Sequence, residues 1–126
     1  MDEPEVVLRV REYFEAQGFK LKGQPIEGDI VLNEGDLRTD LQGFRESKNP
    51  DLIWVECKGD SANLKDLLAD FVSLLLIIDE YGGQAVLACP SDAHQKITAY
   101  QAFLDKLQNN ISKGHVQIFN IEANQQ

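Results

Sequence analysis

Apolar residues recur along this chain with two periods, one of three to four residues and one of two, and the changes between them mark its elements. From Pro4 to Gln17, Val6, Val7, Val10, Tyr13 and Phe14 fall on one helical stripe. Asp2 is placed to cap that helix, with Glu5 three residues on as a capping box, and Gly18 to end it. Phe19 to Leu21 reads as a short edge segment. Ile30 to Leu32 reads as a first strand, closed by the turn-forming Asn33, Glu34 and Gly35. Two further strands follow, Asp36 to Phe44 and the apolar run Leu52, Ile53, Trp54 and Val55, on either side of a turn from Arg45 to Asp51.

The second half alternates helix and strand. A long helix is expected from about Ser61 to Tyr81, capped by Asp60 or Ser61 and stopped at Gly82-Gly83. Its stretch from Phe71 to Ile78 is apolar on almost every side, which implies burial against the sheet and against another element or a second subunit. Gln84 to Cys89 has the continuous apolar character of an interior strand and ends at Pro90. Ser91 is then set to cap a helix over about Asp92 to Asn109 that buries Ala93, Ile97, Tyr100, Phe103, Leu104 and Leu107. His115 to Ile121 forms a last strand, and 122–126 is expected to be a disordered tail. The resulting order, αβββαβαβ, predicts one α/β domain over 1–126, with helices around a mixed central sheet.

The strand at Leu52 to Val55 runs on into Glu56-Cys57-Lys58. Alternation places Glu56 and Lys58 on one face. If the chain folds back at Arg45 to Asp51, Asp40 lands opposite Glu56, because 40 and 56 are symmetric about 48. The same register sets Leu41 against Val55, Thr39 against Cys57 and Gly43 against Ile53, a face suited to burial. Arg38, Asp40, Gln42, Trp54, Glu56 and Lys58 take the other face. Opposed carboxylates at about 5 Å repel by roughly 3 kcal/mol at an effective dielectric near 20. Something positive must sit between them, and either Lys58 or a hard cation with oxygen ligands meets that need.

Asp40 on one strand and Glu56-Cys57-Lys58 on the next resemble the PD-(D/E)xK nuclease superfamily, whose restriction-endonuclease-like fold includes Holliday-junction resolvases and restriction enzymes. The resemblance covers about residues 4 to 121, although its diagnostic motif is three residues long. It implies Asp40 and Glu56 as metal ligands, the Cys57 backbone carbonyl as a third, and Lys58 as catalytic base or water-positioning group. The implied cofactor is Mg²⁺ or Mn²⁺. The superfamily's acid on the first helix makes Glu5 a candidate accessory acid, with Glu12 as another. An acid that complements the helix dipole is the plainer account of Glu5. Pro50-Asp51 is the tempting match to the family name, but Asp51 stands five residues before Glu56. That odd separation spans about 17 Å of strand and puts the two side chains on opposite faces.

Composition modifies this picture at a few points. A formal charge of −9 opposes nucleic-acid binding, since neutralisation of phosphates supplies most non-specific affinity. Arg38, Arg45, Lys48, Lys58 and Lys65 lie near the candidate site in sequence, so the local field is less acidic than the total. Arg38 and Lys65 are candidate phosphate contacts, and Asn63 lies beside Lys65. Cys57 and Cys89 sit in apolar strands and read as reduced core residues. His94 and His115 lack metal-site spacing, and Gly82-Gly83 lacks the pattern of a phosphate loop. With no signal-peptide pattern and no membrane span, a cytoplasmic protein is expected.

The expectation is therefore a Mg²⁺-dependent endonuclease acting on DNA, as a homodimer or a subunit of a larger complex. Two alternatives remain open at this point. One is a catalytically inactive domain of the same fold that binds DNA or a partner protein. The other is an oligomeric interaction module in which Asp40, Glu56 and Lys58 form a buried ion-pair network.

Overall fold

A computed structural model describes residues 1–22, 39–46 and 51–123. Helix α1 (Glu3–Glu15) leads into strand β1 (Lys20–Lys22), followed by β2 (Leu41–Arg45) and β3 (Asp51–Cys57). Helix α2 (Leu64–Tyr81), β4 (Gln84–Cys89), α3 (Ser91–Thr98), α4 (Gln101–Ile111) and β5 (Val116–Asn120) complete the order. The strands form one five-stranded mixed sheet in the order β1-β2-β3-β4-β5. β1, β2 and β3 pair antiparallel, while β3, β4 and β5 pair parallel. The expected strand at Ile30 to Leu32 lies outside the described residues, and the expected edge segment at 19–21 is β1.

The β2–β3 register is the one that the alternation requires. Leu41 pairs with Val55, Gln42 with Trp54 and Gly43 with Ile53. Leu41, Ile53, Val55 and Cys57 join Val86, Ala88, Phe119 and the α1 residues Val6, Val10 and Phe14 in one apolar layer. The opposite face is also covered. Trp54, Ala85, Leu87 and Cys89 pack beneath Leu67, Phe71, Leu74 and Leu75 of α2, Ala93 and Ile97 of α3, and Leu104 of α4. The charged face is thus covered at its middle: Gln42 is 5 % and Trp54 1 % exposed. The indole N–H of Trp54 is satisfied by the Gly82 carbonyl at 3.0 Å, so this residue is core.

Three helix boundaries depart from the sequence expectation. α1 begins one residue earlier, with Asp2 accepting from the Glu5 N–H as its cap. α2 starts at Leu64 because Asn63, rather than Asp60 or Ser61, caps it through the Asp66 N–H. Asp60 is instead paired with the Met1 ammonium. The single helix expected over Asp92 to Asn109 is two, α3 and α4, broken where Tyr100 leaves the helical region at φ −105°, ψ 20°. Just before the break, the Thr98 hydroxyl bonds back to the His94 carbonyl at 2.7 Å, an arrangement that bends helices. The bend resets the stripe, so Tyr100 and Phe103, expected inside, are 48 % and 57 % exposed while Leu104 is fully buried.

The near-continuous apolar surface of α2 is buried within the chain, against β3 and β4 on one side and α3 and α4 on another. Leu76, 45 % exposed, and Tyr81, 37 % exposed, are large apolar residues that it leaves outward. No helix among the described residues is long and apolar enough to cross a membrane. Glu122, expected at the start of the tail, is held by its carboxylate, which accepts from the Ser91 N–H at 2.8 Å, and 124–126 lie outside the described residues.

Candidate functional site

The parallel strands β3 and β4 end side by side, and the charged residues gather at the end of β3. Continuing the β2–β3 ladder by one step sets Asp40 opposite Glu56, and by a second sets Thr39 opposite Cys57. Asp40 Oδ2 accepts from the Cys57 N–H at 2.7 Å, so the carboxylate extends the ladder where β2 stops. In antiparallel pairing the N–H and C=O of one residue leave the strand on the same side, which turns the Cys57 carbonyl toward Asp40 as well. The Lys58 N–H goes the other way, to the Ala88 carbonyl at 2.9 Å. These bonds fix the backbone under the charged groups.

Glu56 is 9 % exposed, on the α2 face beside Leu87. Burial, then the nearby charges of Asp40 and Asp70 and a hydrogen bond to the Asp40 side chain, push its pKa up to about 9. At neutral pH Glu56 therefore holds a proton. The Lys58 charge acts on Glu56 in the opposite sense and is outweighed.

Lys58 turns to Asp70, two helical turns into α2, with Nζ 3.2 Å from Oδ2. The contact is an ion pair by distance, and this Asp70 oxygen has no other partner among the described residues. Burial, opposed by Lys58, leaves the Asp70 carboxyl above its usual range. For Lys58, burial opposes the charge, but Asp70, Glu3 and Glu56 outweigh it and raise the pKa, so the side chain is an ammonium.

The remaining candidates separate clearly. Glu5 is exposed, and its backbone N–H serves the Asp2 cap. The α1 acid whose charge couples to the cluster is Glu3, which is exposed like Glu5 but is raised first by partial desolvation and then by Asp40. Lys65 is exposed in the first turn of α2. Asn63 is occupied in capping that turn. Arg38 and Lys48 lie outside the described residues. Arg45 is at the far end of the hairpin, with its guanidinium 2.8 Å from Asp51 and 4.5 Å over the Phe19 ring, so it adds no positive charge to the site. Asp51 is accordingly a partner of Arg45, remote from Glu56.

Asp70 enters the cluster only in the folded chain. Its signal in the sequence is its place three residues after Leu67 and four before Leu74, on the buried stripe of α2. Both cysteines are free and buried. The Cys57 and Cys89 thiols are pushed up by burial, which keeps them unreactive. Comparison with family models, with characterised proteins and with solved structures finds no match.

Among the described residues, no three His, Cys, Asp or Glu side chains converge to hold a metal. Mg²⁺ does not require that many. It is usually held by one or two carboxylates and keeps several waters. The oxygens of Asp40 and Glu56, with the Cys57 carbonyl on the same side, are a donor set of the right chemistry. Among the described residues the acids around them, with Asp70 and Glu3 added, outnumber the one cation Lys58, an excess of negative charge of the sign a cation requires.

Proposed function

We propose that the protein is a divalent-metal-dependent endonuclease of the PD-(D/E)xK kind, hydrolysing phosphodiester bonds in DNA. The observation that carries this reading is the opposition of Asp40 to Glu56 at the end of β3, with Lys58 following beside them. Asp40, Glu56 and the Cys57 carbonyl would hold Mg²⁺ or Mn²⁺. When bound, the cation supplies charge stabilisation for a phosphodiester undergoing in-line displacement.

The chain's own residues supply the rest. Asp40 is oriented by the Cys57 N–H, which leaves its second oxygen for a ligand. Glu56 would have to release its proton to solvent to serve as a cation ligand. Lys58, kept as an ammonium, suits donation to a water or a phosphate oxygen better than proton abstraction. Lys65, and Arg38 outside the described residues, are proposed phosphate contacts. Glu5, as an exposed N-terminal acid, is assigned no part in this scheme, and Glu3 is the better-placed acid on α1. Pairing of two copies would offer one site to each strand of a duplex.

The test is Mg²⁺- or Mn²⁺-stimulated cleavage of duplex, single-stranded and branched DNA by the full chain. Asp40→Asn and Lys58→Ala are expected to reduce cleavage by about 100-fold or more with the fold retained. Cleavage equal to wild type in both variants refutes the assigned roles.

One observation favours a second reading, a catalytically silent domain with an internal charge network. Asp40 and Glu56 already satisfy each other, and Lys58 already has Asp70. That reading predicts saturable binding of DNA or a partner protein without cleavage, and no uptake of Mn²⁺.

A further inference from the structure

Asp70 occupies a position that helical periodicity reserves for the core. It stands between Leu67, Phe71 and Leu74, all fully buried, where a carboxylate is costly unless it is paired. Its Oδ2 is closed to solvent, and Lys58 Nζ, 3.2 Å away, is the charge it faces. Lys58 is the residue whose ammonium must be held still beside Glu56 and Asp40, yet lysine is a point charge on a flexible four-carbon stem. α2 is fixed by the Asn63 cap at its start and by the apolar layer under it. A carboxylate on such an element makes a rigid anchor.

We infer that Asp70 is the positioning residue for Lys58, holding the ammonium at the end of β3 through an ion pair made from α2. The inference rests on the nuclease reading of Lys58. Asp70 does not touch substrate; it acts through the lysine.

The experiment compares steady-state DNA cleavage and Mn²⁺ affinity for wild type, Asp70→Asn, Asp70→Glu, Lys58→Ala and the Lys58→Ala/Asp70→Asn double variant, with near-UV circular dichroism to verify folding. Asp70→Asn is expected to lower kcat about 10- to 100-fold, with KM for DNA and Mn²⁺ affinity within about twofold. Asp70→Glu is expected to recover part of kcat. The double variant should be no slower than Lys58→Ala alone, because the effect of Asp70 passes through that lysine. A kcat for Asp70→Asn equal to wild type overturns the inference, as does a loss confined to KM or Mn²⁺ affinity, or additive losses in the double variant. If Asp70→Asn does not fold, Asp70→Glu decides instead: lowered kcat at unchanged KM supports the inference, and wild-type kcat overturns it. Wild-type protein that cleaves no DNA substrate overturns the nuclease reading and this inference with it. A cleaving wild type with an unimpaired Asp70→Asn overturns this inference alone.

Discussion

Glu56 and Asp40 face each other one step beyond the β2–β3 ladder, where burial first and the charge of Asp40 next favour the protonated form of Glu56. The folded chain keeps that proton on Glu56 up to about pH 9, against an ordinary value of 4.5. Between those values the folded state binds the proton and the unfolded state does not. Stability from this group is therefore fully present below about pH 4.5 and declines as pH rises toward 9. Denaturant titrations from pH 5 to 9 should show wild type losing stability relative to Glu56→Gln by at most about 1.4 kcal/mol per pH unit. Parallel curves would mean that Glu56 is ionised in the fold.

Asp40 has a structural duty apart from any ligand, since it accepts from the Cys57 N–H at 2.7 Å. Asp40→Ala leaves that part-buried donor without its partner and should cost about 1 to 3 kcal/mol. Asp40→Asn keeps an acceptor oxygen and should cost less. Urea unfolding of the two variants measures the difference, and equal stabilities would remove the duty.

Asp51, beside Pro50 in the tempting motif, pairs with Arg45 on a part-exposed rim of the hairpin. Asp51→Asn should cost less than about 1 kcal/mol and leave Mn²⁺ affinity and cleavage at wild-type values. Loss of either would return Asp51 to the site.

Gly43, paired with Leu21 of β1, lies so close to that strand that an added Cβ would come within 2.0 Å of the Lys20 carbonyl oxygen. Gly43→Ala should destabilise the protein by about 1 to 3 kcal/mol or unpair β1. Hydrogen exchange at Lys20 to Lys22 reports it, and unchanged protection there would place β1 differently.

The hairpin register was legible in the sequence because alternation has a period of two, so a slip by one residue would turn Asp40 in among Ile53 and Val55 and turn Leu41 out to the face of Glu56. The interior place of β4 was legible because an apolar run from Ala85 to Cys89 fits a strand covered on both faces. The break at Tyr100 was not, since residues 92–109 keep enough helical spacing to read as one piece, and the choice of Leu104 over Phe103 for burial depends on where α4 meets α2.

The sequence by itself determined which residues alternate, which are apolar and how far apart the charged ones stand, and local backbone geometry turned those spacings into strands, helices and the opposition of 40 to 56. Only the tertiary structure decided how the charges are neutralised. It set α2 over the end of β3, supplied Asp70 to Lys58 from a helix that begins six residues later, and buried Glu56 beside Asp40 so that its carboxyl pKa is raised. Burial and ion pairing depend on distances through space between segments that do not adjoin along the chain, and such distances exist only once the helices have packed on the sheet.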